Sequence, residues 1–176
     1  EIITEVKRDY IVEAGTYMGG SAALWAMVLR EVNPAGKVFT IDIEDKSAEA
    51  KKLDIAKKLI TFMIGSSTDP KIVSEISRQV QGKKVVVTLD SNHTKDHVLK
   101  EMQSYGPLIN VGSYLIVQDS DINGHPVKIS HGEGSGPGPW EAIDALLPSN
   151  QNFKVDSDRE RILYTTNPRG YLKRTH

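Results

Sequence analysis

Four side chains in the second half of this 176-residue sequence have the types and spacing of a metal-assisted reaction centre. Asp90 and His93 stand three residues apart in the run LDSNHT, and Gln118 and Asp119 are adjacent in the run IVQDS. Oxygen donors of this kind suit a hard divalent ion such as Mg²⁺, which prefers oxygen and keeps several of its waters. The two aspartates would balance the ion's charge, and Gln118 would add a neutral carbonyl. His93, with an unperturbed pKa near ~6.5, would be placed to take a proton from a group bound beside the ion. Each residue also has a plainer use: strand-end aspartates often cap helices, and a histidine just before a helix is commonly a polar surface residue. His93 and His97 share the i, i+4 spacing of a zinc pair, but Thr94 stands where that motif has Glu, and no third ligand is evident. No 2-His-1-carboxylate set of the kind that holds iron occurs at readable spacing.

A second chemistry-bearing stretch lies near the start, YIVEAGTYMGGSA from Tyr10 to Ala22. Residues 10–12 predict a buried strand, and Ser21 predicts the cap of a helix over 22–32. Gly15, Gly19 and Gly20 allow a tight turn and a close approach of backbone to ligand. A strand, a glycine turn and a helix N-terminus together make a nucleotide-type pocket at a sheet edge. The spacing G-x-x-x-G-G is not the dinucleotide fingerprint G-x-G-x-x-G. Glu13, just ahead of the first glycine, is a poor neighbour for a pyrophosphate and a better one for a cofactor bearing a cation.

The elements that must position these residues follow from periodicity. Strands are expected at 38–43, 59–64, 84–89 and 113–117, separated by helical patterns over 47–58, 70–80, 95–104 and 140–147. Asp69 or Thr68 with Pro70 makes a helix start. Residues 153–155 and 162–165 predict two closing strands around a charged hairpin, with one antiparallel strand at the edge. The glycine- and proline-rich run 132–139, inside the irregular segment 120–139, reads as an active-site loop. His125 and His131 in that segment would either line a cleft or be exposed, and Trp140 would either pack or floor a sugar site. The alternation predicts an α/β fold, Rossmann-like and doubly wound, with a mainly parallel sheet. In such sheets ligands sit outside the carboxyl ends of the strands. Glu13, Gly15, Asp42, Ser66, Ser67, Asp90, His93, Gln118 and Asp119 would all gather there. From that edge Asp42 would take ribose hydroxyls, or else cap a helix; Ser66 and Ser67 would meet an adenine edge, or else start one.

Length and composition bound the answer further. A chain of this size makes one domain, read here as residues 1–176. A formal net charge of −1 argues against a nucleic-acid or membrane-surface binder, and the absence of cysteine excludes disulfides, thiolate metal sites and a thiol nucleophile. No signal peptide or bilayer-spanning run is seen, so the expectation is a cytoplasmic protein. The first strand begins almost at once, which suggests a longer natural N-terminus.

Taken together, IVEAGTYMGGSA, TIDIE, GSSTDP, LDSNHT with DHVLKE, GSYLIVQDSDINGHPV, GPGPWEAI and NPRGYLKR resemble the cephalosporin hydroxylase / rhamnosyl O-methyltransferase family. That family is a branch of the class I S-adenosylmethionine-dependent methyltransferases, and the resemblance covers nearly the whole chain. It implies a seven-stranded sheet with the last strand antiparallel. It implies S-adenosylmethionine on the turn formed by Glu13, Gly15, Thr16, Tyr17, Gly19, Gly20 and Ser21, with Asp42 on the ribose and Ser66, Ser67 and Asp90 nearby. In related metal-dependent sugar O-methyltransferases the aspartate of the LDSNHT-type motif and the acidic pair after the fifth strand bind Mg²⁺, and the histidine serves as base. Those roles fall on Asp90, Gln118, Asp119 and His93. The first of the pair is often Glu in the family and is Gln118 here, which leaves one negative charge fewer.

The resemblance further implies a small-molecule hydroxyl acceptor, a sugar or natural-product glycoside. The family's helical N-terminal extension, which encloses substrate and supports homo-oligomers, is not part of this sequence. Two other readings stay open at this point: a cofactor-binding protein of the same fold without catalysis, and a nicotinamide-dependent oxidoreductase, against which the glycine spacing argues.

Overall fold

The computed structural model describes residues 1–7, 9–122, 125, 136–162 and 164–176. Seven strands form one sheet: β1 (Tyr10–Ala14), β2 (Lys37–Asp42), β3 (Ile60–Ile64), β4 (Val85–Leu89), β5 (Tyr114–Val117), β6 (Phe153–Val155) and β7 (Tyr171–Arg174), in the order β3-β2-β1-β4-β5-β7-β6. The pairings among β1 to β5 are parallel, and β7 runs antiparallel to both β5 and β6. Because β1 pairs with both β2 and β4, the strand order reverses across it, and a crevice opens at the carboxyl ends where the two halves diverge.

β4 reads VVVTL and is buried at every position, as expected of a central parallel strand covered on both faces. On one face Val12, Phe39, Val85, Val87, Leu89, Leu115 and Val117 pack against α5 (Pro70–Val80), α6 (Lys95–Tyr105) and α7 (Pro139–Leu146). On the other, Ile11 and Val38 meet α2 (Gly20–Val32) through Ala22, Ala26 and Leu29. Each large aliphatic side chain so buried stabilises by roughly 1.5–3 kcal/mol. α5 starts as expected, with Asp69 accepting the Lys71 N–H at 2.8 Å and Pro70 at its first position.

Several expectations need correction. Ser21 lies inside α2, whose cap is Gly19 in the left-handed conformation (φ 80°). The segment 47–58 forms two short helices, α3 (Ala48–Lys52) and α4 (Asp54–Leu59). The second closing strand is Tyr171–Arg174, not 162–165, where Ile162 and Tyr164 are 72% and 61% exposed and 157–160 make a single 3-10 turn. The antiparallel strand is second from the edge, with β6 outermost. A short helix not foreseen, α1 (Ile2–Val6), buries Ile2 and Ile3 and ties Glu5 to Arg159 at 2.5 Å. No helix among the described residues is long and apolar enough to cross a membrane.

Candidate active site

The carboxyl ends of β1 to β4 enclose a cleft of about 770 Å³, walled by Gly15, Tyr17, Asp42, Ser66, Ser67, Asp90 and their neighbours. Gly15 is required by geometry: its φ is +98°, and a Cβ there would lie 1.8 Å from the Asp90 carbonyl oxygen. The bare backbone therefore lets β1 and β4 close on each other at the cleft floor. Asp42 holds the turn in place, its Oδ2 accepting the Thr16 N–H at 3.0 Å and the Tyr17 N–H at 2.7 Å, its Oδ1 the Glu44 N–H at 3.2 Å.

Glu13 does not face this cleft. It is wholly buried, with Oε1 accepting from the Trp25 indole at 2.9 Å and Oε2 from the Thr40 hydroxyl at 2.6 Å. Burial raises its pKa, against hydrogen bonds from Ser21, Thr40 and Trp25. Thr16 and Gly19 likewise pack behind the turn, Thr16 bonding the Thr40 hydroxyl at 2.6 Å and a Cβ on Gly19 meeting Ala50 at 2.7 Å, whereas Gly20 is exposed with open space around it.

The far wall contains residues that sequence reasoning missed. Glu101 of α6 is fully buried, and its Oε1 accepts from both Ser67 Oγ and Ser91 Oγ, at 2.5 and 2.6 Å. With both hydroxyl protons spent on Glu101, the serines can offer only lone pairs to the cleft. His97 Nε2 lies 3.1 Å from Ser67 Oγ, so it serves this wall and not a zinc pair with His93. Exposed Ile43 adds an apolar surface for a nucleobase.

Beside this cleft, at the ends of β4 and β5, the structure brings Asp90, His93 and Asp119 together, one donor atom of each lying within 4.8 Å of the others. His93 Nε2 is 3.5 Å from Asp90 Oδ1 and 3.6 Å from Asp119 Oδ2, too far for good hydrogen bonds, and it is buried without a partner among the described residues. The Asp90 carboxylate raises the His93 pKa, Asp119 adds to it, and burial opposes them. Burial raises the Asp119 pKa, and repulsion from Asp90 and Asp121 works in the same direction. Two carboxylates of like charge converging on an unpartnered imidazole nitrogen make a donor set that fits a divalent cation.

Gln118 bonds elsewhere through its amide nitrogen, which donates to Thr88 Oγ1 at 2.9 Å, and the side chain lines a separate cavity of about 250 Å³ with Ile2, Trp25, Val86 and Ile116. His125 bonds Glu141 at 2.6 Å and stacks on Trp140, whose ring also lies 4.7 Å from the Arg169 guanidinium, so Trp140 packs against protein groups. His131 and residues 132–135 lie outside the described residues.

The family model described as rhamnosyl O-methyltransferase/CmcI matches residues 1–175. The rhamnosyl O-methyltransferase of Mycobacterium tuberculosis is 39% identical over 179 residues, covering 99% of this chain and 70% of the relative. That of Mycobacterium leprae is 37% identical over 182 residues, covering 99% and 75%. Among solved structures, CmcI with Mg-SAM aligns with a TM-score of 0.67 at 17% identity, covering 99% of this chain and 68% of that one. TomG, the O-methyltransferase of Streptomyces achromogenes involved in tomaymycin synthesis, in complex with SAM, aligns at 0.68 and 18% identity, covering 99% and 76%. At such identities the structures establish the fold, a class I methyltransferase sheet.

Proposed function

The chain belongs to the rhamnosyl O-methyltransferase/CmcI family, and on that premise we propose that it transfers the methyl group of S-adenosylmethionine, with Mg²⁺, to a hydroxyl of a sugar or glycoside. The observation that carries the catalytic reading is the buried, unpartnered Nε2 of His93 between two carboxylates. When bound, S-adenosylmethionine supplies an activated methyl group and Mg²⁺ supplies Lewis acidity that makes a hydroxyl more acidic.

Gly15, Tyr17, Asp42, Ser66 and Ser67 would bind the cofactor along the cleft, with Asp42 presenting its carboxylate to the ribose. Asp90 and Asp119 would hold the ion, and Gln118, turned onto Thr88, would not. His93 would accept the acceptor's hydroxyl proton at Nε2, a general-base contribution of about 10²–10⁴-fold. Asp90 and Asp119 then stabilise the imidazolium. Fixing the donor against the acceptor in line supplies much of the rest. Residues 1–176 would act as one domain.

The test is transfer of labelled methyl from S-adenosylmethionine to a panel of rhamnosides and other glycosides in Mg²⁺. The reading expects labelled ether product that chelator abolishes. Cofactor binding with no transfer to any acceptor would replace it with the non-catalytic alternative.

A further inference from the structure

The C-terminal turn Asn167-Pro-Arg-Gly170 lies far from the reaction residues in sequence yet is seated on the end of β5. Val117 N–H donates to Gly170 O at 2.8 Å, Asp119 N–H to Asn167 Oδ1 at 2.9 Å, Ser120 Oγ to Pro168 O at 2.6 Å, and Asp121 N–H to Thr166 O at 3.2 Å. The approach is close enough that a Cβ on Gly170 would lie 2.1 Å from the Val117 carbonyl oxygen. Asn167 is itself 9% exposed.

What this turn grips is an unusual piece of backbone. Side chains along β5 alternate: Leu115 and Val117 enter the core, while Ile116 and Gln118 line the 250 Å³ cavity on the opposite face. A regular continuation would send Asp119 to the core face that Val117 enters. Asp119 instead has φ 52°, a left-handed conformation uncommon outside glycine, and this brings its carboxylate to 3.6 Å from His93 Nε2. Such a conformation persists only when its surroundings impose it.

We propose that Asn167 is a positioning residue of the metal site, holding Asp119 in the left-handed conformation that turns its carboxylate toward Asp90 and His93. The inference rests on the reading above that Asp119 binds the ion. Outer partners of metal ligands typically set roughly 10–100-fold in metal affinity.

The experiment titrates Mn²⁺, a paramagnetic stand-in, into the full chain by electron paramagnetic resonance, with S-adenosylhomocysteine affinity measured on the same preparations. Asn167→Leu is expected to weaken Mn²⁺ about 10–100-fold while S-adenosylhomocysteine affinity stays within about twofold, because the turn does not line the cofactor cleft. Asn167→Asp keeps an oxygen acceptor for the Asp119 N–H and is expected to bind Mn²⁺ at least as tightly as the parent. If Asn167→Leu does not fold, Ser120→Ala, which cuts the neighbouring tie to Pro168, carries the test with a smaller loss in the same direction. Parent-like Mn²⁺ affinity in Asn167→Leu, or a parallel loss of both ligands, overturns the proposal. A parent that binds no Mn²⁺ overturns the reading of Asp119 itself.

Discussion

The two halves of the strand-end edge are built on opposite principles. Around the cofactor cleft most polar groups already have partners within the protein: Asp42 accepts three backbone N–H groups, Glu13 is held by Trp25 and Thr40, and Glu101 Oε1 gathers Ser67 and Ser91, while its buried Oε2 has no partner among the described residues. Across β4 and β5 the arrangement is reversed, with Asp90 and Asp119 converging, His93 Nε2 unpartnered, and Asp119 in a strained backbone conformation. A satisfied network fixes shape in advance of binding, whereas an unsatisfied one stores the electrostatic demand that a cation and a proton transfer will meet. Binding and reaction are thus divided along one edge at β1, where the strand order turns.

That contrast is sharpest at Asp119. Asp119→Asn is expected to remove Mn²⁺ binding and reduce methyl transfer by ~10²-fold or more, since metal charge stabilisation amounts to several kcal/mol. The metal-free protein should nonetheless melt at a higher temperature, because a carboxylate raised in pKa by burial and repelled by Asp90 and Asp121 has been neutralised. A lower melting temperature would show that the two halves do not differ in this way. On the cofactor side, Asp42→Ala strips the acceptor from Thr16 and Tyr17. It should weaken S-adenosylhomocysteine by roughly 1.5–3 kcal/mol and leave Mn²⁺ affinity intact, as paired titrations would show.

A smaller effect is expected in the pH dependence of the metal-free protein. His93 carries a raised pKa, so its stabilising contribution is complete below the unfolded value near ~6.5 and is lost as pH rises through the folded value. Proton NMR should place its titration above the ordinary histidine range, and Asp90→Asn should bring it down. The same protonation withholds the base, so methyl transfer should fall as pH drops through the active enzyme's His93 pKa. The smallest effect belongs to a region outside both halves. Glu5, held by Arg159, has a pKa of about 2, so its contribution is present above the unfolded carboxylate range and fades as pH falls through 2. Arg159→Gln should return Glu5 to the ordinary range, seen by carbon NMR, with S-adenosylhomocysteine affinity unchanged.

Much of this was legible in the sequence because local rules and the global fold agree. The β-branched run before Asp90, the Asp69-Pro70 helix start and the glycine turn each have one reading, and strand ends in a doubly wound sheet must share an edge. What escaped depends on distant partners. The bond that Gln118 makes through its amide nitrogen is to Thr88, thirty residues away. Glu13 looked like a cofactor neighbour because nothing adjacent reveals Trp25 and Thr40. Glu101 has the spacing of any helical glutamate, and its burial is set by Ser67 and Ser91. Residues 162–165 imitated a strand, yet the hydrogen bonds to β5 come from Tyr171–Arg174. Asn167 sits in a motif visible from the start, NPRGYLKR, whose contact with Asp119 only the fold discloses.

The central claim is that His93 acts on the acceptor while taking no part in holding the methyl donor. It is tested most directly by single-turnover methyl transfer to an accepted glycoside with saturating S-adenosylmethionine and Mg²⁺, comparing the parent with His93→Ala. The account predicts a fall of about 10²–10⁴-fold, with S-adenosylhomocysteine affinity near that of the parent. Parent-like turnover in His93→Ala would contradict it.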